Sequence, residues 1–194
     1  MTLRLKLITA PGDEPVELVT EVKPHCRVEI NDDDALLLIY MAAAREWAED
    51  FRRQSFITQT WEIYFDTWPT LPVELPRGPV QSITHIKYTD MDGNESTFSS
   101  DNYLLDAVSE PARLTLKSTA SWPTVELREL NGVYVRYVAG YGDAASDVPQ
   151  SVRQAILLLT GHLYENREQS VAEALRDIPF GVQALLRPRR VLRF

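Results

Sequence analysis

Residues 137–168 read YVAGYGDAASDVPQSVRQAILLLTGHLYENRE and join a strand to a helix. Residues 133–138 are β-branched and aromatic, which predicts the strand, and Gly140 and Gly142 break it where a positive φ is needed. Pro149 restarts the chain as a helix, because its missing N–H would have no intrahelical partner at the first helical position and its φ is already helical. Val152, Ile156, Leu159 and Leu163 then fall on one face, widened by Ala155 and Leu158. No catalytic motif lies on this joint.

Upstream of the joint the chain reads as short strands. Residues 59–68 alternate, with Trp61, Ile63 and Phe65 on one face and Thr60, Glu62, Tyr64 and Asp66 on the other, the pattern of a half-buried strand. Pro69, Pro72, Pro76 and Pro79 mark an extended connection before a strand over residues 80–88. Asp90-Met91-Asp92-Gly93-Asn94 reads as a hairpin turn, since the later ligands and closing bidentate glutamate of a calcium loop are missing. Further strands over residues 103–106, 113–117 and 133–138 predict a small antiparallel sheet or sandwich spanning residues 61–141. Leu3, Leu5 and Leu7 alternate with Arg4 and Lys6 ahead of Pro11-Gly12, an edge strand or arm.

Helices flank this β region. Residues 14–22 predict a short helix ended by Pro24, and the acidic run at residues 31–34 predicts capping of a long helix over residues 35–53. That helix carries one stripe of Leu36, Tyr40, Ala43, Trp47 and Phe51 and another of Leu37, Met41, Ala44 and Ala48. Two stripes predict burial against its own domain and against a neighbour, with Tyr40, Met41, Ala44, Trp47 and Ala48 as inter-subunit residues; an enclosed core helix of a monomer is the alternative. After the second long helix, Ser170-Val171-Ala172-Glu173 is a capping box, and a short helix over residues 178–186 is halted by Pro188. The last eight residues, RPRRVLRF, carry four arginines with Val191, Leu192 and Phe194 between them, a docking peptide or a disordered end.

Together these elements predict an α+β fold: a helical framework of long N- and C-terminal helices with an inserted small antiparallel β domain. The expected divisions are residues 1–58 (N-terminal helical part), 59–142 (β domain), 143–186 (C-terminal helices) and 187–194 (basic docking tail).

Composition narrows the chemistry. A net charge of −8 over 194 residues argues against a general nucleic-acid binder, and since the tail holds +4 the rest carries −12. An acidic surface suits a path that DNA must traverse without sticking. The single cysteine, Cys26, excludes an intrachain disulfide and fits an intracellular protein; its pairing with His25 has no second ligand cluster nearby. His25, His85 and His162 are far apart, and no phosphate loop, nucleophile elbow or zinc signature occurs, so no catalytic, cofactor or metal residues are assigned. Asp101 with Asp106, or Glu62 with Asp66, could pair as acid and base, which leaves a carboxylate-dependent hydrolase as a minor alternative.

The run VPQSVRQAILLLTGHLYENRE followed by IPFGVQALLRPRRV, with the strand ending YVAGYG, resembles the head-to-tail connector (adaptor) proteins of long-tailed phages and gene transfer agents. Ala43, Ala44, Arg45 and Trp47 in the first long helix and the strand and hairpin over residues 80–93 agree with it, so the likeness covers most of the chain. The resemblance implies a virion structural protein without catalysis: a dodecameric ring beneath the portal in the neck, assembled in the host cytoplasm, extending the DNA channel and linking capsid to tail. A stopper or tail terminator is the alternative within the same particle. By the same resemblance the C-terminal segment contacts the portal protein or a neighbouring subunit, through Phe180, Leu185, Leu186, Arg187, Arg189, Arg190 and Phe194.

Overall fold

A computed structural model describes residues 4–166, 179–188 and 190–191. The chain separates into two compact units, one made of residues 1–11 and 58–140 and the other of residues 12–57 and 141–194.

The first unit is built from eight strands: β1 (Arg4–Thr9), β2 (Gln59–Phe65), β3 (Val73–Leu75), β4 (Val80–Thr89), β5 (Glu95–Phe98), β6 (Tyr103–Asp106), β7 (Ala112–Leu116) and β8 (Val133–Ala139). They form a five-stranded sheet in the order β1-β2-β8-β4-β5 and a three-stranded sheet in the order β3-β7-β6, with every pairing antiparallel. Alternation explains the layering. Ile63 and Phe65 of β2, Val133, Val135 and Tyr137 of β8, and Leu75 and Leu114 of the smaller sheet share one apolar core. Tyr137 is fully buried there, and its phenol donates to the Pro76 carbonyl at 2.8 Å. Trp68 and Trp122 stack at 4.8 Å beside Phe98 and Tyr88 and close the open side of that core.

The opposite face of β2, β8 and β4 aligns Glu62, Arg136 and His85 in one row. Glu62 is buried although it faces away from the core, because Arg136 Nε donates to it at 2.8 Å and the Tyr64 hydroxyl also bonds to it. Burial and that carboxylate push the Tyr64 phenol up to about 12. The hairpin read at residues 90–94 joins β4 to β5, with Gly93 at φ 87° and the Asp90 carboxylate accepting from the Asn94 N–H at 2.8 Å.

The second unit is helical. A turn of π-helix at Leu18–Val22 runs into α1 (Lys23–Cys26); α2 (Asp34–Arg52), α3 (Gln150–Glu165) and α4 (Phe180–Leu186) follow. Leu37, Met41, Ala44 and Ala48 of α2 are buried in one core with Val152, Ala155, Ile156, Leu159 and Leu163 of α3 and Val182 and Leu186 of α4. The Pro149 carbonyl starts the α3 ladder by accepting from Val152 and Arg153. Arg153 then ties the segment before α1 to α3, through the Pro15 carbonyl at 3.1 Å and Glu21 at 2.7 Å.

The expected framework of long N- and C-terminal helices is not the architecture. Among the described residues, eight strands in two antiparallel sheets dominate, the N-terminal segment is strand β1 rather than part of a helical framework, and α1 and α4 are only 4 and 7 residues long. The β unit is not a simple insertion either, because β1 pairs with β2 across the intervening residues 12–57. The physical reason is edge satisfaction: β2 has backbone groups on the side away from β8, and β1 supplies their partners while placing Leu5 against the core.

Smaller corrections follow from local chemistry. Pro24 does not end the helical segment; it stands in the first turn of α1, where its N–H is not required, and the turn ends at Arg27 in the left-handed region. The acidic run before α2 makes no side-chain cap at Asp33, whose carboxylate accepts instead from the Tyr164 hydroxyl at 2.6 Å, while Asp34 pairs with Lys23 at 2.8 Å. Gly140 has φ 138°, as its place after β8 demands. Gly142 does not need a positive φ; a Cβ there would collide with the Asp147 carboxylate, which accepts from the Ala144 N–H at 3.0 Å. The capping box read at residues 170–173 lies outside the described residues.

Candidate docking site

The features that remain for function lie on the helical unit, around α2. Its inner half is fixed by charge as well as by apolar packing. Arg45, nearly buried, donates to Glu14 at 2.9 Å and to Glu49 at 3.2 Å, and Glu49 accepts from the Phe56 N–H at 2.9 Å. Burial raises the Glu14 carboxyl, and the Arg45 guanidinium only partly offsets it. These bonds cap the chain reversal after α2, where Arg53 takes φ 58° and its N–H returns to the Asp50 carbonyl.

The C-terminal segment comes back to this same end of α2. Val182 and Leu186 are anchored in the core, the Val191 N–H donates to the Arg52 carbonyl at 3.2 Å, and Arg190 lies over the Phe51 ring with 4.5 Å to the centroid. Arg52 itself is buried and donates to the Tyr141 hydroxyl at 3.3 Å.

Of the C-terminal residues singled out in the sequence, Phe180 is 76% exposed, Arg187 and Arg190 are exposed, Leu185 is half-buried and Leu186 is buried. Arg189 and Phe194 lie outside the described residues. Of the α2 set, Met41, Ala44 and Ala48 are buried inside the unit, and Tyr40 and Trp47 are half-buried and packed against the same core. Sequence reasoning passed over a third line on α2. Ala35, Leu38 and Ile39 are exposed and Ala42 is half-buried, at the i, i+3, i+4, i+7 spacing of one helix face. The signal was present in Leu36-Leu37-Leu38-Ile39, four consecutive apolar residues that cover every side of a helix.

Asp106, Asp66 and Glu62 of the β unit are engaged in structure. Asp106 closes the β6–β7 turn by accepting from Ser109 Oγ at 2.7 Å and from Arg113 Nη2 at 2.6 Å, which holds its carboxyl well below the usual range, and Asp66 bonds to Arg4 and to the Asn131 N–H. Glu62 and Asp66 are thus committed to different partners. Among the described residues no group of three or more His, Cys, Asp or Glu is placed to hold a metal ion, and no helix is long and apolar enough to cross a membrane. His162 is half-buried; its Nδ1 lies 3.2 Å from Asn166 Nδ2, and its Nε2 is buried without a hydrogen-bond partner.

No curated protein matches the chain in sequence. Solved structures do. A chain in the neck of an empty gene transfer agent particle computed with C6 symmetry aligns with a TM-score of 0.79 at 25% identity, over 98% of this chain and 96% of that one. A chain in the neck of the native particle computed with C12 symmetry aligns at 0.73 and 26% identity, over 100% and 97%. A chain in the virion of the native gene transfer agent shares the fold, with a TM-score of 0.80 at 24% identity, over 98% and 97%. The sequence profile of the phage gp6-like head-tail connector proteins matches residues 17–111 and 97–190, thus covering both units. The chain therefore belongs to the phage gp6-like head-tail connector family, and it is a structural protein of the virion neck.

Proposed function

We propose that this connector works as a closed homo-oligomeric ring, a dodecamer, seated below the portal protein, and that DNA passes through it on the way to the tail. The observation that carries this reading is the near-complete alignment with chains in necks computed with C6 and C12 symmetry. A ring of this kind uses heterologous contacts, the same two different patches repeated around the axis until it closes. The net charge of −8 fits a channel that lets a polyanion slide without gripping it. The ring works by shape and adhesion, and carboxylates held in turns and ion pairs are suited to stiffness rather than to proton transfer.

The C-terminal segment is the proposed portal contact. Phe180 and Arg187 are its exposed apolar and basic members, Leu185, Leu186 and Arg190 hold it to its own unit, and Arg189 and Phe194 belong to the same segment. Electron microscopy of necks containing the chain tests the reading: twelve copies directly beneath the portal are expected, and density at another level of the neck would make it a stopper or tail terminator. Deleting residues 187–194 should leave a folded protein that no longer holds its portal; normal portal binding would remove the docking role of the segment.

A further inference from the structure

We propose that the outward face of α2 is the surface on which a second copy of the chain docks, and that it receives the basic end of the next copy's α2. The inference rests on the ring reading above and adds the contact by which the ring closes. Ile39 is 64% and Leu38 49% exposed, and with Ala35 and Ala42 they form an apolar line along the first half of the helix. Acidic residues lie at both ends of that line: the exposed Glu29 and Asp32 precede the helix, Asp34 opens it in its ion pair with Lys23, and the exposed Glu46, 3.7 Å from Arg45, continues the same face below Ala42. An apolar centre with an acidic rim calls for a partner with the opposite charge.

The same unit carries such a surface at the C-terminal end of the same helix, about 16 Å beyond Ala42 at 1.5 Å per residue. Arg53 is exposed just past the last turn, and Arg190 is held beside it by Phe51 and by the bond from Val191 to Arg52. The first half of this face is therefore apolar with acidic residues beside it, and the C-terminal end carries Phe51, Arg53 and Arg190 together with the exposed Asp50. A two-fold pairing of the apolar faces would bring like charges together, acid on acid. Head-to-tail stacking instead sets Glu29, Asp32 and Glu46 against Arg53 and Arg190 of the next copy, and head-to-tail is the arrangement that a cyclic ring requires.

The test places a photo-activated cross-linking amino acid at position 39 of the full chain and assembles it into necks. The expected product is a covalent dimer of this chain, with the cross-link mapped to a peptide that contains Arg53 or Arg190. A ring that assembles but yields no such dimer, or joins position 39 to a different neck protein, overturns the assigned face and leaves the ring reading standing. A cross-link from position 39 to residues 35–42 of the other copy overturns the head-to-tail arrangement. Absence of a ring from the unsubstituted chain overturns the ring reading and this inference with it. In a second arm Ile39→Glu, with its urea midpoint and circular dichroism unchanged, should reduce ring yield at least tenfold; an unaltered yield overturns the proposal.

Discussion

Arg190 lies over the face of Phe51, 4.5 Å from the ring centroid, and so fastens the C-terminal segment to the last turn of α2. A cation over an aromatic face at a partly exposed site contributes about 0.5–1 kcal/mol. Arg190→Ala and Phe51→Leu should each lower stability by at least this amount, the latter more because Phe51 also packs on the core. Urea denaturation of both variants and of the double variant checks it: if the two losses simply add, the residues do not interact.

Glu49 is the buried hub of the helical unit, bonded to Arg45 and to the Phe56 N–H. Glu49→Ala leaves a buried guanidinium short of one partner and a buried backbone N–H without its carboxylate, and should cost about 3–5 kcal/mol. A loss below about 1 kcal/mol in equilibrium unfolding would show that the network is dispensable.

At Gly132 the chain passes close to two backbone carbonyls. An added Cβ would sit 2.9 Å from the Arg128 oxygen and 3.3 Å from the Asp66 oxygen. Main-chain atoms cannot swing aside as a side chain would, so Gly132→Ala should destabilise the β unit by about 1–3 kcal/mol. Thermal unfolding is the measurement, and an unchanged midpoint would contradict the crowding.

Acid should undo the β unit first. Ser109 and Arg113 lower the Asp106 carboxyl, Arg4 and the Asn131 N–H lower Asp66, Asn94 lowers Asp90, and Lys87 lowers Glu95. Each is more acidic folded than unfolded, so its contribution is complete above the unfolded value of about 4 and fades as pH falls through the folded one. Glu14, raised by burial, has the opposite sign: its folded state gains relative stability as pH falls. Trp61, Trp68 and Trp122 lie in the β unit and Trp47 in the helical one. Tryptophan-deleted variants followed between about pH 5 and pH 2 should therefore show the β-unit signal change first.

Much of this fold was legible in the sequence where periodicity is local. The strand carrying Trp61, Ile63 and Phe65, the Asp90–Asn94 hairpin and the face of Val152, Ile156, Leu159 and Leu163 were all readable locally, although Glu62 on the other face of β2 is buried as well. Pairing between distant segments leaves little local trace, which is why β1 read only as an edge strand or arm without a partner and the β region as a small insert. Arg4–Thr9 becomes a strand because β2 needs a partner, a fact recorded about fifty residues downstream. The docking surface was harder to read for a related reason. Leu36 to Ile39 covers all sides of the helix, so hydrophobicity alone could not separate Leu37, in the core, from Leu38 and Ile39, which are exposed. The return of Arg190 and Val191 to α2 depends on tertiary contacts that no spacing encodes.

The position of β8 has a consequence for how the molecule comes into being. Among the described residues it is the last strand in sequence and the middle strand of its sheet, flanked by β2 and β4. Until the ribosome has released residues 133–139, the β1–β2 pair and the β4–β5 hairpin have nothing to join them, and each exposes an unpaired strand edge. The β unit therefore completes its folding in one late, long-range step. A chain that ended before β8 would leave the facing edges of β2 and β4 without partners, a template for aggregation.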